Sequence, residues 1–202
     1  MSLLARIHGR LVHSRRVRVL AGCIAPLLPQ GARVLDIGCG DGLLAEHTRQ
    51  LRPDVTISGL DVLARPATQI PVTLFDGRKV PHADTSFDVA LLVDVLHHTD
   101  DPRVLLREAM RVARIIVLKD HTLTGWLAGP TLRLMDWTGN APHGVSMPFN
   151  YWTDTQWREA FTVLGLRVTT QETHLGLYPP PLDWLFGRGL HFLARLEREV
   201  AA

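Results

Sequence analysis

The chain has 202 residues, 46% of them hydrophobic, a formal net charge of +2 and two cysteines. That is enough apolar side chain for one packed domain and short for two, so a single domain over 1–202 is expected. Near-neutral charge removes the usual case for a nucleic-acid enzyme, Cys23 and Cys39 match no metal or redox motif and suit reduced, cytoplasmic thiols, and no uncharged apolar run approaches the roughly 18 residues that span a bilayer.

Residues 1–30 read as a basic helical cap. No Asp or Glu precedes Asp36, while Arg6, Arg10, Arg15, Arg16 and Arg18 sit on a background of Leu3, Leu4, Ile7, Leu11 and Val12. Such a helix either covers the sheet with its arginines in water or meets an anionic membrane surface or an acidic carrier protein. Leu20-Ala21-Gly22-Cys23 looks like a lipoprotein cleavage site, but Arg18 leaves no room for an apolar h-region of about 7 to 15 residues. A strand over Arg33–Ile37 then runs into Gly38, Gly40 and Gly42, spaced G-x-G-x-G, with a helix over Leu43–Leu51 behind them. Glycine permits the sharp turn and lets a ligand approach the main chain, and the helix N-terminus points free N–H groups at it. Dinucleotide-binding turns usually read G-x-G-x-x-G, so this spacing suits a ligand without a pyrophosphate.

Further strands are expected at Val55–Leu60, Val72–Phe75, Phe87–Val93 and Arg114–Leu118, with a Pro102–Val112 helix opened by Asp101-Pro102. Strands alternating with helices imply a doubly wound, mostly parallel α/β sheet. Residues 120–152, broken by Gly and Pro and rich in Trp, Met and Leu, read as a substrate-side insertion or lid with a helix over about Leu123–Trp137. Thr153–Leu164 is a capped helix with Gly165 beyond it, and Leu166–Thr173 and Leu190–Leu196 are two more strands.

Four features taken together, Asp36 with its glycine turn, Asp61 after the second strand, Asp76-Gly77 after the third, and Ser86-Phe87-Asp88 running on to Asp94-Val95-Leu96-His97-His98, resemble the Rossmann-like S-adenosylmethionine-dependent methyltransferases over about residues 30–120. The last stretch is similar to the small-molecule branch that includes quinone and sterol methyltransferases. The resemblance implies a seven-stranded sheet with an antiparallel C-terminal edge hairpin, and S-adenosyl-L-methionine as cofactor. It places Asp36, Gly38, Cys39 and Gly40 under the amino-acid part of the cofactor, Asp61 and Val62 at the ribose, Asp76 and Gly77 at the adenine edge, and Asp94 nearby. Two departures stand out: Ala113-Arg114 replaces the family's Lys-Pro-Gly-Gly turn, which demands a tight connection, and nothing from Lys119 onward matches a pattern that assigns a substrate.

Ligands gather at the carboxyl ends of strands in such sheets. Methyl transfer to a hydroxyl or acidic carbon needs alignment, exclusion of water and a base. His121, which Asp120 or another carboxylate could orient, and His143 are the candidate bases, each with a purely structural role as the alternative. His98, Tyr151 and Trp152 are placed at the substrate, and Trp137 and Phe149 point to an apolar or aromatic acceptor. Asp94 and Asp120 resemble the magnesium ligands of catechol-type methyltransferases, but the surrounding motif belongs to the metal-free branch, so no metal is expected. The expectation is a cytoplasmic methyltransferase acting by O- or C-methylation on a small acceptor, possibly lipid-borne or carrier-bound. Its rivals are a non-catalytic domain binding the same cofactor and an NAD-dependent oxidoreductase.

Overall fold

The computed structural model describes the backbone of residues 3–140, 147–180 and 182–199, with side chains from residue 13 onward except that of residue 140. Among the described residues, β1 (Arg33–Ile37), β2 (Thr56–Asp61), β3 (Val72–Leu74), β4 (Phe87–Val93), β5 (Ala113–His121), β6 (Leu166–Glu172) and β7 (His191–Arg198) form one sheet in the order β3-β2-β1-β4-β5-β7-β6. Pairing from β3 to β5 is parallel, and β7 runs antiparallel between β5 and β6. This is the expected doubly wound sheet. The edge pair is also present, but its strands are joined through an unanticipated short helix rather than a tight hairpin turn.

Among the described residues six α-helices accompany it: α1 (Leu3–Ile24), α2 (Leu43–Leu51), α3 (Pro102–Val112), α4 (Ala128–Asn140), α5 (Asp154–Val163) and α6 (Leu182–Phe186). Their ends follow local chemistry. Asp101 accepts from the Arg103 N–H at 3.0 Å ahead of Pro102, Thr153 and Gln156 form a capping box on α5, and Gly165 follows α5 with φ +63°, as such caps require. α4 starts later than the Leu123 expected from composition because Gly125 and Leu127 hold φ of +79° and +59°, which no helix accommodates. α3 passes into β5 with no intervening residue, the tight connection that the missing glycine turn demands.

Successive strand residues face opposite sides of the sheet, and the core divides accordingly. Leu35, Ile37, Ala90, Leu92, Ile116 and Leu118 pack with Leu105, Leu106, Trp157 and Phe161 of α3 and α5. Val34, Val89, Leu91 and Val117 pack with Leu20, Ile24 and Ala45 of α1 and α2. The parity that buries Ile116 and Leu118 carries on to Asp120, while that of Val117 carries on to Lys119 and His121, so strand five delivers charged groups to both faces. The strand order reverses between β1 and β4, which opens a crevice at their carboxyl ends.

Candidate functional site

The glycine turn follows β1. Gly38 has φ +79°, and a Cβ there would lie 2.4 Å from Val95 Cγ2; Gly40 has φ +61° and open space where its Cβ would be. Gly38 is therefore required by both conformation and contact, and Gly40 leaves main chain open to a ligand. The Gly38 and Cys39 N–H groups donate to Leu60 O at 2.7 and 3.1 Å, which ties the turn to β2. Asp61 accepts from Gly40 N–H at 2.7 Å and from Leu63 N–H at 2.8 Å, so the turn and the acid after β2 form one unit. Cys39 Sγ packs over Gly59; burial, with Asp36 and Asp61 nearby, raises its thiol pKa and makes it inert.

A cavity of about 680 Å³ opens over this unit, lined by Gly38, Gly40, Asp61, Val62, Phe75, Asp76, Gly77 and Asp94. Asp76 Oδ1 accepts from the Lys79 and Arg78 N–H groups at 2.7 and 2.8 Å, which hold its pKa below the usual range. An acid after β2, an acid-glycine pair after β3 and apolar Val62 and Phe75 between them match the hydroxyls, polar edge and ring faces of an adenosyl group, so the residues present fit the expected cofactor. His98, expected at the substrate, lines this larger cavity.

A second cavity of about 320 Å³ adjoins the first at Gly38, Gly40 and Asp94, with Arg16, Leu20, Asp36, His97, His121, Met135 and Asp136 also on its wall. Asp36 is 2% exposed, and burial followed by the charge of Asp61 raises its pKa to about 7.

Around the second cavity lies a buried charge cluster. Asp94, in the left-handed region with φ +56°, pairs with Lys119 Nζ and, at 3.2 Å, with Arg16. Burial opposes its ionisation, but Lys119 and Arg16 overcome that and hold it well below the ordinary value. Asp120 accepts from His97 Nδ1 at 2.6 Å, Leu96 N–H at 3.0 Å and His121 N–H at 2.7 Å. His97 Nε2 lies 3.4 Å from Asp136 Oδ2, outside hydrogen-bond alignment and close enough for charge attraction. Burial alone would depress His97, yet Asp120 and Asp136 push it up to about 10, so it is an imidazolium at neutral pH. His121 goes the other way: burial, Lys119 and the His97 cation bring it down to about 4. Three carboxylates, Asp94, Asp120 and Asp136, thus face three cations, Arg16, Lys119 and His97, around neutral His121 and His191.

Sequence reading found some of this set and missed the rest. Asp120 accepts from the His97 ring at 2.6 Å, because its parity on β5 points it to the 3-10 turn at Leu96–His98, and its Oδ1 also lies 3.5 Å from His121 Nδ1, with Asp94 Oδ1 at 3.7 Å. Arg16 does not stand in water; it crosses from α1 to Asp94. Tyr151 lines neither cavity and acts through its hydroxyl, which donates to Asp136 at 2.5 Å. Trp152 is not at the substrate either: it stacks on Trp157 of α5 with ring centroids 4.8 Å apart, and Trp137 faces outward, 60% exposed. His143 lies outside the described residues. His97 lay inside the Asp94–His98 motif and Arg16 in the basic cap, but neither was tied to this cluster, and Asp136 carried no local motif.

Asp94, His97, Asp120 and His121 hold oxygens and ring nitrogens within 4.8 Å of one another, a donor set that a divalent ion could take. Each carboxylate there already has a cation in contact, so the charge an ion would supply is present in the side chains.

The family model described as "Methyltransferase domain" matches residues 11–171. The chain is similar to tRNA (carboxymethyluridine(34)-5-O)-methyltransferase of Schizosaccharomyces pombe, 34% identical over 94 residues, which cover 45% of this chain and 40% of that protein. It is also similar to ubiquinone biosynthesis O-methyltransferase of Cereibacter sphaeroides, 36% identical over 110 residues, 46% of this chain and 42% of that protein. The matches thus span about two fifths of those relatives' length. Among solved structures, an S-adenosylmethionine dependent methyltransferase from Mesorhizobium loti superposes with a TM-score of 0.64 at 21% identity, covering 88% of this chain and 96% of that one.

Proposed function

Because the chain belongs to the methyltransferase-domain family, in its S-adenosylmethionine-dependent class, we propose that it methylates oxygen, or an acidic carbon, of a small apolar or aromatic acceptor. One observation carries this reading: the cofactor-sized cavity meets a smaller, mixed-polarity cavity at Gly38, Gly40 and Asp94, with His121 on the wall of the second. Both relatives described above are O-methyltransferases by name, which favours oxygen. The cofactor, when bound, supplies an activated methyl on a sulfonium.

The protein's own residues then have simple tasks. Asp61 would accept from the ribose hydroxyls, Asp76 and Gly77 would meet the adenine edge, and Asp36 would face the ammonium of the amino-acid end. Met135, Leu20 and Val17 offer apolar surface to the acceptor and exclude water. His121, neutral across the working pH range, takes the acceptor's proton on a ring nitrogen; a base this weak suits an acidic hydroxyl, such as a phenol, better than an alcohol. His97, held protonated by two carboxylates, contributes positive charge that favours the deprotonated acceptor. A lipid-borne or carrier-bound acceptor is consistent with the basic α1 that forms one wall.

The decisive assay is release of S-adenosylhomocysteine with a panel of phenols, quinols and lipid acids, beside NAD titration. Turnover on an acidic hydroxyl, lost about a hundredfold in His121→Phe with cofactor affinity unchanged, is the expected result. Cofactor binding with no turnover on any acceptor would make the chain a silent binding domain, and NAD binding in place of S-adenosylmethionine would make it an oxidoreductase.

Asp36 adds a pH dependence. A cation should bind its ionised form, so affinity for S-adenosylmethionine should be full above about pH 7 and weaken roughly tenfold per pH unit below it, until the lowered pKa of the bound state is reached. Calorimetry across that range, with Asp36→Asn flattening the profile, checks the assignment; a flat wild-type profile would remove Asp36 from the cofactor.

A further inference from the structure

α4 has two faces with different business. Its inner face places Met135, Asp136 and Gly139 on the acceptor cavity and Ala128 and Leu132 in a small core with Tyr151 and Leu190. Its outer face, which globular packing would make polar, is apolar. Pro130, Leu134 and Trp137 lie one turn apart along it and are exposed, the last two at 54% and 60%, and Trp126 at 84% and Leu127 stand exposed in the turn just before the helix. The turn after α6 is joined to α4 by Arg188 Nη2 donating to Thr131 Oγ1 at 3.0 Å, and α6 itself adds Trp184 at 83% exposure and Leu185 at 42%. A soluble chain rarely leaves three tryptophans in water on adjoining elements without a use for them.

The charges select the occupant. In residues 123–139 and 182–190 the ionisable side chains are Arg133, Asp136, Asp183 and Arg188. Asp136 is buried in the site, and Asp183 is half-buried and accepts from the Tyr178 N–H at 3.3 Å. Arg188 is half-buried too, with Nη2 on Thr131, which offsets Asp183 and leaves Arg133, exposed and held over the Phe149 ring at 5.7 Å, as the net outward charge. α1 and α4 share the wall of the acceptor cavity, and Arg18 of α1 is exposed. Two copies laid face to face would oppose arginine to arginine. Exposed tryptophans rimmed by arginines match instead the headgroup zone of an anionic bilayer, where an indole is half apolar and half wet.

We propose that the outer face of α4, with α6, is a docking surface for an anionic phospholipid membrane, and that the acceptor enters the site from that membrane. No described helix is long and apolar enough to cross a bilayer, so the contact is peripheral. The second half of the proposal rests on the methyltransferase reading above; the first does not.

The test uses the full chain with vesicles of phosphatidylcholine alone or mixed with phosphatidylglycerol, read by co-sedimentation and by the tryptophan emission shift. Binding is expected to the anionic vesicles only, weakening at high salt, and to fall by about tenfold or more when Trp126, Trp137 and Trp184 are together changed to Ser. Cofactor calorimetry on the same variant shows that it is folded, and keeps a failed cofactor reading separate from a failed docking surface. No vesicle binding, binding indifferent to the three substitutions, self-association that they abolish, or equal binding to a soluble acidic protein would each overturn the proposal.

Discussion

Asp120→Asn is expected to destabilise the fold by about 3–5 kcal/mol, the usual cost of removing one partner from a buried ion pair. Asp120 is fully buried and accepts three hydrogen bonds, one of them from the His97 imidazolium. The amide can still accept at one oxygen, but it no longer compensates the charge. The expected signature is a pH dependence as well as a lower midpoint. The folded-state pKa of His97 is raised to about 10 from the ordinary 6.5, so its contribution is complete below about pH 6.5 and is lost as pH rises through about 10. Denaturant titrations of the wild type should show stability falling across that window, and those of Asp120→Asn should show the slope removed, with the His97 resonance titrating at lower pH by NMR. A variant with the wild-type midpoint and slope would mean that His97 is neutral in the folded protein and that the charge balance around the acceptor cavity is misassigned.

Asp61→Ala is expected to weaken S-adenosylmethionine binding by two to four orders of magnitude, from two charge-assisted hydrogen bonds of about 1.5–3 kcal/mol each. The same substitution frees the Gly40 and Leu63 N–H groups, which now donate to its carboxylate. Both sit on a cavity wall where water can replace the acceptor, so the fold should survive with a small loss of stability. Asp61→Asn offers a control, since it keeps the shape while turning one acceptor into a donor. Calorimetry showing the alanine variant folded and within about threefold of wild-type affinity would remove the ribose from Asp61.

The halves of the site differed in how far they could be read along the chain. The cofactor side is built from signals local in sequence. A strand ending in G-x-G-x-G must turn and expose its main chain, and Asp61 and Asp76 each terminate a strand of a parallel sheet, where position within the strand specifies which end of the sheet a residue occupies. Four of the five parallel strands and α2, α3 and α5 followed from periodicity and capping within a residue or two, while β5 runs three residues past the expected Leu118 to His121. Errors appeared where local composition was ambiguous: α4 began late because backbone at Gly125 and Leu127 is left-handed, and α6 had only five residues with which to announce itself.

The acceptor side has no such locality. Arg16 and Asp94 are 78 residues apart, and His97 and Asp120 are 23 apart. These residue types occur throughout a chain, and nothing in their spacing says which of them will share a low-dielectric space. Strand parity and strand order decide that: β5 lies beside β4, so Asp120 meets the turn after β4 while Lys119 and His121, one residue away on either side, look toward α1. The same holds for the tryptophans. Sequence reading put Trp152 at the substrate and took Trp137 as a sign of an aromatic acceptor because both lie near the insertion, yet the packing of α4 turns Trp137 to solvent and α5 takes Trp152. Cofactor recognition was legible because it depends on backbone conformation and chain order; the protonation states and the exposed face depend on which distant side chains exclude water from one another, and that is settled when the layers close.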